Sequence, residues 1–253
     1  MSNSTDHSLP GNLPGNLPGN PQHSLLNELR SRLQRVNQRI SDYELEYGRE
    51  VGSVQLLAVS KTQAAERVRA AHSLGQLRFG ENYLQEALGK MQELADLPIE
   101  WHFIGPIQSN KTRDIACHFD WVHSVDRLKI AQRLSEQRPA ARGPLKVLIQ
   151  VNLSNEDSKS GCSLIDLEPL ANAIATLPAL VLSGLMAIPA PAPSLPSQRL
   201  VFRQLAEARA RLQACGHHAC TELSMGMSAD FEAAIAEGAT LVRIGSDIFG
   251  PRH

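Results

Sequence analysis

The first strong pattern in the chain is a single stripe of apolar side chains over residues 25–47. Its members are Leu25, Leu29, Leu33, Val36, Ile40, Tyr43 and Tyr47. Steps of three and four residues match the 3.6-residue period of an amphipathic helix. The stripe predicts a helix that packs on the rest of the domain, and a coiled-coil or dimer seam is the alternative.

After this helix, short strand-like segments alternate with helix-like segments. Eight segments have the apolar character of buried strands, and they are residues 54–60, 77–80, 101–105, 120–125, 146–153, 180–188, 221–225 and 240–245. The intervening segments carry ordinary helix boundaries, such as the glycine that ends residues 62–75 and the aspartate that begins residues 126–138. This alternation predicts a parallel sheet with right-handed crossovers.

The number of strands favours a closed barrel. Eight strand–helix units match a (β/α)8 TIM barrel, which usually has about 250 residues. A doubly wound open sheet is the alternative, but it usually has fewer strands and often a GxGxxG turn after its first strand. No such turn follows "LLAVS", residues 56–60. We therefore expect one α/β domain over residues 22–253, a TIM barrel with an extra N-terminal helix.

Residues 1–21 have a different character. They contain the repeat "LPGNLPGNLPGNP", which offers no apolar surface for a core. Such a Pro/Gly/Asn-rich segment predicts a disordered tail.

Composition narrows the class of protein. The 253 residues are 42% hydrophobic with a net charge of −1, and the pI is about 6.8. This balance lacks the basic excess of a nucleic-acid binder. The N-terminus "MSNSTDHSLP" has no secretory signal pattern, and no apolar run approaches the ~20 residues of a membrane span. We expect a cytoplasmic protein with neither nucleic acid nor membrane as a partner.

The cysteines do not indicate a metal site. The four cysteines form no CxxC pair, and "CGHHAC", residues 215–220, contains two cysteines and two histidines. A soft-metal cluster there is the less favoured alternative, because structural zinc usually uses CxxC or HxxxH spacing. Gly216 instead predicts a helix end, with the two histidines in a turn.

In a TIM barrel the functional groups lie at the C-terminal ends of the strands. That rule selects polar or reactive residues at the ends of the first six strands, which are Ser60 and Lys61, Glu81 and Asn82, Ser109, Asn110 and Lys111, His123 and Ser124, Asn152, and Met186. The loops after strands seven and eight of such barrels often bind phosphate through backbone N–H groups. The small residues that fit this role are Ser224, Gly226, Ser228, Gly245 and Ser246.

Two charged side chains, Arg243 and Lys61, also fit a ligand site at this end of the barrel. Arg243 shares a strand face with Gly245, so it also approaches a ligand bound there, whereas an ion pair at the barrel end is the alternative. A lysine held at the end of an inner strand loses solvation, which lowers its pKa and makes the amine a nucleophile for a carbonyl. Lys61 beside a phosphate site fits pyridoxal 5'-phosphate (PLP), and an aldolase lysine that acts on a sugar phosphate competes with this interpretation.

Seven segments then carry a family resemblance. They are "LLAVSKTQ", "FGENYLQEALGK", "WHFIGPIQSNK", "VHSVDRLKIAQRL", "VNLSNEDSKSG", "LSGLMAI" and "LSMGMSADFEAAIAEGATLVRIGSDIFG". Over residues 25–252 the chain resembles the pyridoxal phosphate homeostasis protein family. The resemblance implies an alanine racemase-like barrel without the C-terminal β domain, and PLP as the cofactor.

The resemblance also implies a set of cofactor-binding residues, which are Lys61, Asn82, Ser224, Met225, Arg243, Gly245 and Ser246. The lysine would carry PLP as a Schiff base, and Asn82 would lie near the ring. The residues of the last two loops would hold the phosphate, largely through backbone N–H groups, and the arginine would face the pyridine nitrogen. Lys111 and Lys159 match lysines at the margin of the site and receive no firm role.

The chain departs from the family pattern at three places. Gln63 stands where relatives often carry a second lysine, the end "FGPRH" lacks the common basic tail, and the Pro/Gly repeat lies outside the pattern. These departures put any secondary PLP-holding role of such lysines in doubt.

The same residues favour a carrier over an enzyme. An arginine beside the pyridine nitrogen leaves a weak electron sink, since it stays charged and repels a pyridinium. Racemases tolerate that weakness but need a second acid–base group, which a tyrosine from a second domain supplies in alanine racemase-like enzymes. The tyrosines of this chain are Tyr43, Tyr47 and Tyr83, the first two on the N-terminal helix. We expect no catalytic residues and no metal.

The predicted function is PLP homeostasis. The protein would hold PLP on Lys61 and buffer it or deliver it to apo PLP-dependent enzymes, as a monomer or weak dimer. A PLP-dependent amino-acid racemase with weak or narrow activity is the alternative.

Overall fold

The computed structural model describes residues 21–153 and 160–250, and it describes side chains from residue 24 onward. The predictions for residues 1–20 and for Lys159 therefore lie outside the described residues. Pro21, which the prediction assigned to the tail, is the first residue of the N-terminal helix.

Strands and helices alternate through the described residues. The strands are β1 (Gln55–Val59), β2 (Arg78–Glu81), β3 (Glu100–Phe103), β4 (Trp121–Val125), β5 (Leu145–Gln150), β6 (Leu180–Met186), β7 (Glu222–Ser224) and β8 (Leu241–Ile244). The helices are α1 (Pro21–Glu46), α2 (Ala65–Ser73), α3 (Leu84–Glu93), α4 (Thr112–His118), α5 (Leu128–Gln137), α6 (Leu167–Ala175), α7 (Leu195–Ala214), α8 (Phe231–Ala236) and α9 (Ser246–Phe249). A predicted segment overlaps each of the eight strands, although those for β3, β5 and β6 extend two or three residues too far and those for β2, β3 and β5 miss one terminal residue.

The eight strands form a closed parallel barrel in sequence order, with β8 returning to β1. Ala58 of β1 pairs with Phe79 on one side and with Ile244 on the other, which closes the barrel. This confirms the TIM barrel and excludes the open doubly wound sheet.

Helix α1 packs on the barrel, as its apolar stripe predicts. Leu29, Leu33, Val36 and Ile40 are buried in the main core, and the helix contacts α2, α8 and α9. The ring of Tyr43 meets that of Phe231 edge to face, with the centroids 5.5 Å apart. The apolar side of α1 is therefore buried within the domain, so the described side chains of the helix offer no exposed apolar face for a coiled coil or dimer seam.

The interior of the barrel is unusually polar. TIM barrels are usually filled with branched apolar side chains. Here a small cluster of Trp121, Leu148 and Met186 lies apart from the main core. His102 and His123 stand beside it, and both are fully buried.

Two expectations of absence, of a membrane-spanning segment and of a metal site, concern parts of the chain outside the barrel interior. No helix in the described part of the chain is long and apolar enough to cross a membrane. Gly216 follows α7 with φ 99°, which matches the predicted helix end. Nε2 of His217 lies 2.9 Å from Oδ1 of Asn172, and no group of three metal-ligating side chains occurs within the described residues.

Candidate functional site

A cavity of about 260 Å³ opens at the C-terminal ends of the strands. It is lined by Val59, Lys61, Asn82, Ile104, Ile188, Met227, Ser228, Ala229, Arg243, Gly245 and Ser246. Five of the seven predicted cofactor-binding residues are in this set, which brings an amine, an amide and a guanidinium to one cavity. Its volume is close to the ~300 Å³ at which small-molecule pockets begin.

Lys61 lies two residues beyond the end of β1 and is half-buried. The next residue, Thr62, has φ 63°, a left-handed conformation that is unfavourable for a β-branched side chain. Its backbone N–H donates to Oε1 of Glu86 at 2.6 Å. Strain of this kind persists only where neighbouring contacts hold it, and it is common at ligand sites.

A buried ammonium group ties the end of β1 to β2. Nζ of Lys90 donates to the carbonyl oxygen of Ser60 at 2.6 Å and to Oε1 of Glu81 at 2.7 Å, and it also pairs with Glu86. Ser60 donates its own hydroxyl to the same Glu81 oxygen at 2.6 Å. Burial raises the pKa of Glu81, and the charge of Lys90 opposes that rise. These contacts fix the backbone immediately before Lys61.

Sequence reasoning missed Lys90. The available signal was its position on α3, where it shares the buried face with Leu84 and Ala87. A lysine on the apolar face of a short helix needs a buried partner. The sequence alone did not identify that partner, because Glu81 belongs to a different element.

Asn82 directly follows β2 and lines the cavity. Its Oδ1 is buried and has no hydrogen-bond partner among the described residues. Gly105 packs against it, and a Cβ at that glycine would lie 2.1 Å from the carbonyl oxygen of Asn82. The site therefore contains an unsatisfied acceptor that a bound molecule would meet.

The structure places Ser224 and Met225 behind the cavity wall rather than on it. Both are fully buried and neither lines the cavity. The backbone N–H of Met225 donates to the carbonyl oxygen of Leu241 at 3.1 Å, so it is already used by the barrel. This differs from the predicted phosphate contacts, because the turn after β7 exposes residues three to five positions later.

The residues that reach the cavity from this turn are Met227, Ser228 and Ala229. Gly226 permits the turn, since it has φ 93° and a Cβ there would lie 2.6 Å from the Cβ of Ala234. The backbone N–H of Met227 donates to Oδ1 of Asp230. The N–H groups of Ser228 and Ala229 donate to no atom of the described residues.

Gly245 and Ser246 contribute the facing part of the cavity wall, at the start of α9. Their N–H groups also have no acceptor within the described part of the chain. A Cβ at position 245 would lie 3.3 Å from the carbonyl oxygen of Val59. Four amides from two loops are thus available to an anion.

Arg243 is only 4% exposed, and it lines the cavity from β8. Nη1 donates to the carbonyl oxygen and to Oγ of Ser224, and Nη2 donates to the carbonyl oxygen of Ala187 at 2.9 Å. Nε and the second N–H of Nη2 make no hydrogen bond among the described residues. Burial lowers the pKa of Arg243 to about 10, which leaves the guanidinium charged at neutral pH.

The remaining sequence candidates lie outside this cavity. Gln63 is beside Lys61 at a small cleft that it shares with Gly245, Ser246 and Gly250. Lys111 ends a short 3-10 turn, Ser109–Lys111, and does not line the cavity. His123, selected as a residue near the end of β4, points to buried partners instead: its Nδ1 lies 2.9 Å from Oγ of Ser224.

Comparison with known proteins agrees with this architecture. The family model described as alanine racemase, N-terminal domain, matches residues 29–253. Two curated relatives are named pyridoxal phosphate homeostasis protein. The one from Pseudomonas aeruginosa is 62% identical over 205 residues, covering 81% of this chain and 87% of the relative. The one from Escherichia coli K12 is 55% identical over 208 residues, covering 81% and 88%.

Solved structures give the same result. PipY of Synechococcus elongatus, solved with PLP bound, is 37% identical with a TM-score of 0.78, covering 88% of this chain and 100% of PipY. Alanine racemase from Corynebacterium glutamicum has a TM-score of 0.66 at 17% identity, covering 91% of this chain and 62% of that one. At that identity the likeness concerns the fold alone.

Proposed function

The chain belongs to the pyridoxal phosphate homeostasis protein family, and we propose that it holds PLP on Lys61 and so controls how much free PLP is available. The role in PLP homeostasis follows from the high identity to the named relatives. PLP as the cofactor follows from PipY, which was solved with PLP bound. The observation that supports Lys61 as the attachment point is the cavity in which this amine faces four available backbone amides.

The phosphate of PLP fits the two loops after β7 and β8. Ser228, Ala229, Gly245 and Ser246 supply N–H groups, and small residues let the phosphate approach the backbone closely. Ser224 and Met225 support this wall from behind. We therefore assign the phosphate contacts to the turn residues rather than to the last residues of the strand.

Lys61 supplies the amine. PLP brings an aldehyde, which condenses with a primary amine and releases water. The contacts of Lys90 and Glu86 with the backbone on either side of Lys61 hold this amine at the cavity. Asn82 Oδ1 lies on the adjacent wall as an acceptor for the polar groups of the ring.

Arg243 would bind the nitrogen of the PLP ring. Its Nη atoms make three hydrogen bonds, to Ser224 and Ala187, and of the two N–H groups that remain we assign the one on Nε to the ring nitrogen. A charged guanidinium donates a hydrogen bond but does not supply the proton that a strong electron sink requires. Racemases tolerate such a weak sink, so the choice between a carrier and a racemase rests on whether the site also has a second acid–base group.

The general acid–base partner of a racemase is also missing from the cavity wall. Within the described residues, none of the three tyrosines lines the cavity. Tyr47 donates its hydroxyl to Glu232 at 3.1 Å, and Tyr43 packs on Phe231. We propose that the protein has no racemase turnover and passes PLP to apo PLP-dependent enzymes.

Two measurements test this proposal. Purified protein should absorb visible light through bound PLP, Lys61→Ala should lose that band, and the control Lys111→Ala should keep it. Amino acids incubated with the loaded protein in heavy water should show no exchange of the α-proton by NMR. Exchange at rates typical of enzymes would establish the racemase alternative, and a Lys61→Ala protein with an unchanged spectrum would refute the attachment point.

A further inference from the structure

A series of buried polar side chains crosses the barrel from its N-terminal face to the cavity. Oγ of Ser224 accepts from Nη1 of Arg243 at 2.7 Å and lies 2.9 Å from Nδ1 of His123. Nε2 of His123 lies 2.9 Å from Nδ1 of His102, and Nε2 of His102 lies 3.0 Å from Oε1 of Glu100. We call these five residues the interior network. Glu100, at the start of β3, has a third of its side chain exposed, whereas the other four residues are buried.

Glu100 sets the direction of the first hydrogen bond. Its Oε1 also accepts from Nε of Arg78 at 3.0 Å, so two donors converge on one oxygen. The hydrogen bond with His102 and the positive charge nearby lower the pKa of Glu100 to about 2, although partial burial acts in the opposite direction. An ionised carboxylate only accepts hydrogen bonds. Nε2 of His102 must therefore carry the proton.

The remaining directions follow if both imidazoles are neutral. Burial lowers the pKa of His102, and it lowers the pKa of His123 still further with the help of the Arg243 charge. A neutral imidazole has one donor and one acceptor. Nδ1 of His102 then accepts from Nε2 of His123, whose Nδ1 must accept in turn from the hydroxyl of Ser224. One arrangement satisfies every member of the network.

This arrangement acts on Arg243. When Ser224 donates its proton to His123, the hydroxyl oxygen is left as an acceptor for Nη1. With the reverse direction, His123 and Arg243 would both donate to Ser224, and the buried hydroxyl proton would lose its acceptor. The ordered direction thus favours the bond from Nη1 to Oγ of Ser224, which, together with the bonds to the carbonyl oxygens of Ser224 and Ala187, holds the guanidinium at the cavity.

We propose that Glu100, His102 and His123 are positioning residues for Arg243, and that an acceptor at position 100 orients the arginine on the opposite side of the barrel. The inference rests on the proposed function, in which Nε of Arg243 donates to the ring nitrogen of PLP. It extends the binding site to the N-terminal face, where the cavity does not reach.

The first test uses the protein without PLP. Long-range ¹H–¹⁵N correlation spectra distinguish the two tautomers of a histidine, and loss of signals in His102→Asn and His123→Asn assigns them. Both residues should be protonated on Nε2 at neutral pH. A proton on Nδ1 of either residue would contradict the network direction.

The second test changes position 100. Glu100→Gln keeps an acceptor, because the two donors Arg78 and His102 select the carbonyl oxygen of the amide, so both tautomers should be retained. Glu100→Leu removes the acceptor, and both histidines should shift their proton to Nδ1. Asp120→Asn is the matched control, since Asp120 is an acid of the same face that bonds Arg142 and Trp101 but no member of the network.

The third measurement is PLP affinity, compared among variants whose folding has been checked by circular dichroism. Glu100→Leu should bind PLP roughly three- to tenfold more weakly, the loss expected for one misdirected hydrogen bond at Arg243. Glu100→Gln and Asp120→Asn should bind it within about twofold of the unchanged protein. Reversed tautomers with unchanged affinity would overturn the positioning role.

If Glu100→Leu does not fold, a variant at the Ser224 end of the interior network still tests the proposal. Ser224→Ala breaks the network beside Arg243 and should weaken PLP binding, while His102 and His123 keep the Nε2 proton because Glu100 still directs them. Loss of the Nε2 tautomers in this variant would contradict direction from Glu100. If the unchanged protein bound no PLP, the proposed function would fail while the tautomer result stood by itself.

Discussion

At the scale of single residues, Lys90 is the buried cation on which the site depends. It is about 6% exposed in its side chain and contacts Glu81, which is fully buried. Removal of one partner from a buried pair leaves an uncompensated charge and typically costs ~3–5 kcal/mol. The exposed pair of Arg32 and Glu28 on α1 has the same chemistry without the burial.

We predict that Lys90→Met lowers the free energy of unfolding by about 3 kcal/mol at pH 7, whereas Glu28→Gln changes it by less than about 1 kcal/mol. Because burial raises the pKa of Glu81 above its unfolded value, the folded variant takes up a proton first as the pH falls. The deficit should therefore shrink toward pH 5. Urea unfolding at both pH values measures it, and a deficit independent of pH would contradict the buried pair.

The pKa of Glu100 is shifted in the opposite direction to that of Glu81, so its contribution to stability has the opposite pH dependence. Its pKa of about 2 in the folded protein lies below the ordinary value of 4.5, so its contribution to stability is present above pH 4.5 and is lost as the pH falls toward 2. A third of its side chain is exposed, which screens the interaction.

We predict that Glu100→Gln costs about 1–2 kcal/mol of unfolding free energy at pH 7, and that the cost decreases between pH 4.5 and pH 3. Urea titrations of both proteins at several pH values provide the measurement. A cost that grows on acidification would mean that the carboxylate is not stabilised by Arg78 and His102.

At the scale of elements, the turn between β7 and α8 decides which amides meet the ligand. Gly226 has φ 93° and no room for a side chain, because a Cβ would lie 2.6 Å from that of Ala234. Gly143 also has positive φ, 64°, but nothing lies within 4 Å of its ideal Cβ.

We predict that Gly226→Ala weakens PLP binding about tenfold or more, because the turn must shift Ser228 and Ala229. Gly143→Ala should cost about 1 kcal/mol of stability from its backbone conformation, with PLP affinity unchanged. Equilibrium titration with PLP and thermal unfolding distinguish the two effects. Equal losses of affinity would show that the turn does not form the phosphate site.

The same turn marks the limit of sequence reasoning about elements. Strand positions were predictable because apolar segments alternate with amphipathic ones, and β7 itself was found. The burial of Ser224 and Met225 behind the cavity wall was not predictable, because it results from hydrogen bonds that hold this end of β7 in the interior. Their partners are Ala187, Leu241 and Arg243. Such contacts depend on the closed barrel rather than on local spacing.

At the scale of the whole molecule, the sequence was sufficient to predict the barrel and six of the residues that line the cavity at its C-terminal rim. It did not reveal the network through the interior. His102 and His123 lie on the neighbouring strands β3 and β4, whose register places them within hydrogen-bond distance of each other, and Ser224 reaches His123 from β7 across the barrel. The amino acids that sequence reasoning missed are those whose partners lie on other strands.

PLP should stabilise the entire fold, since the cavity joins loops from six strands. A ligand at 100 times its dissociation constant adds about 2.7 kcal/mol to the free energy of unfolding. We predict a higher melting temperature for the unchanged protein with PLP and a much smaller rise for Lys61→Ala. An equal rise in both would mean that PLP stabilises the fold without Lys61.

The central claim is that Lys61 carries the cofactor. Borohydride reduction of the PLP-loaded protein fixes any bond between PLP and an amine, and peptide mass spectrometry then identifies the modified lysine. The account predicts that the reduced pyridoxyl group is found on the peptide that contains Lys61, in a ratio near one to one. A label found mainly on another lysine, or spread evenly over several, would contradict it.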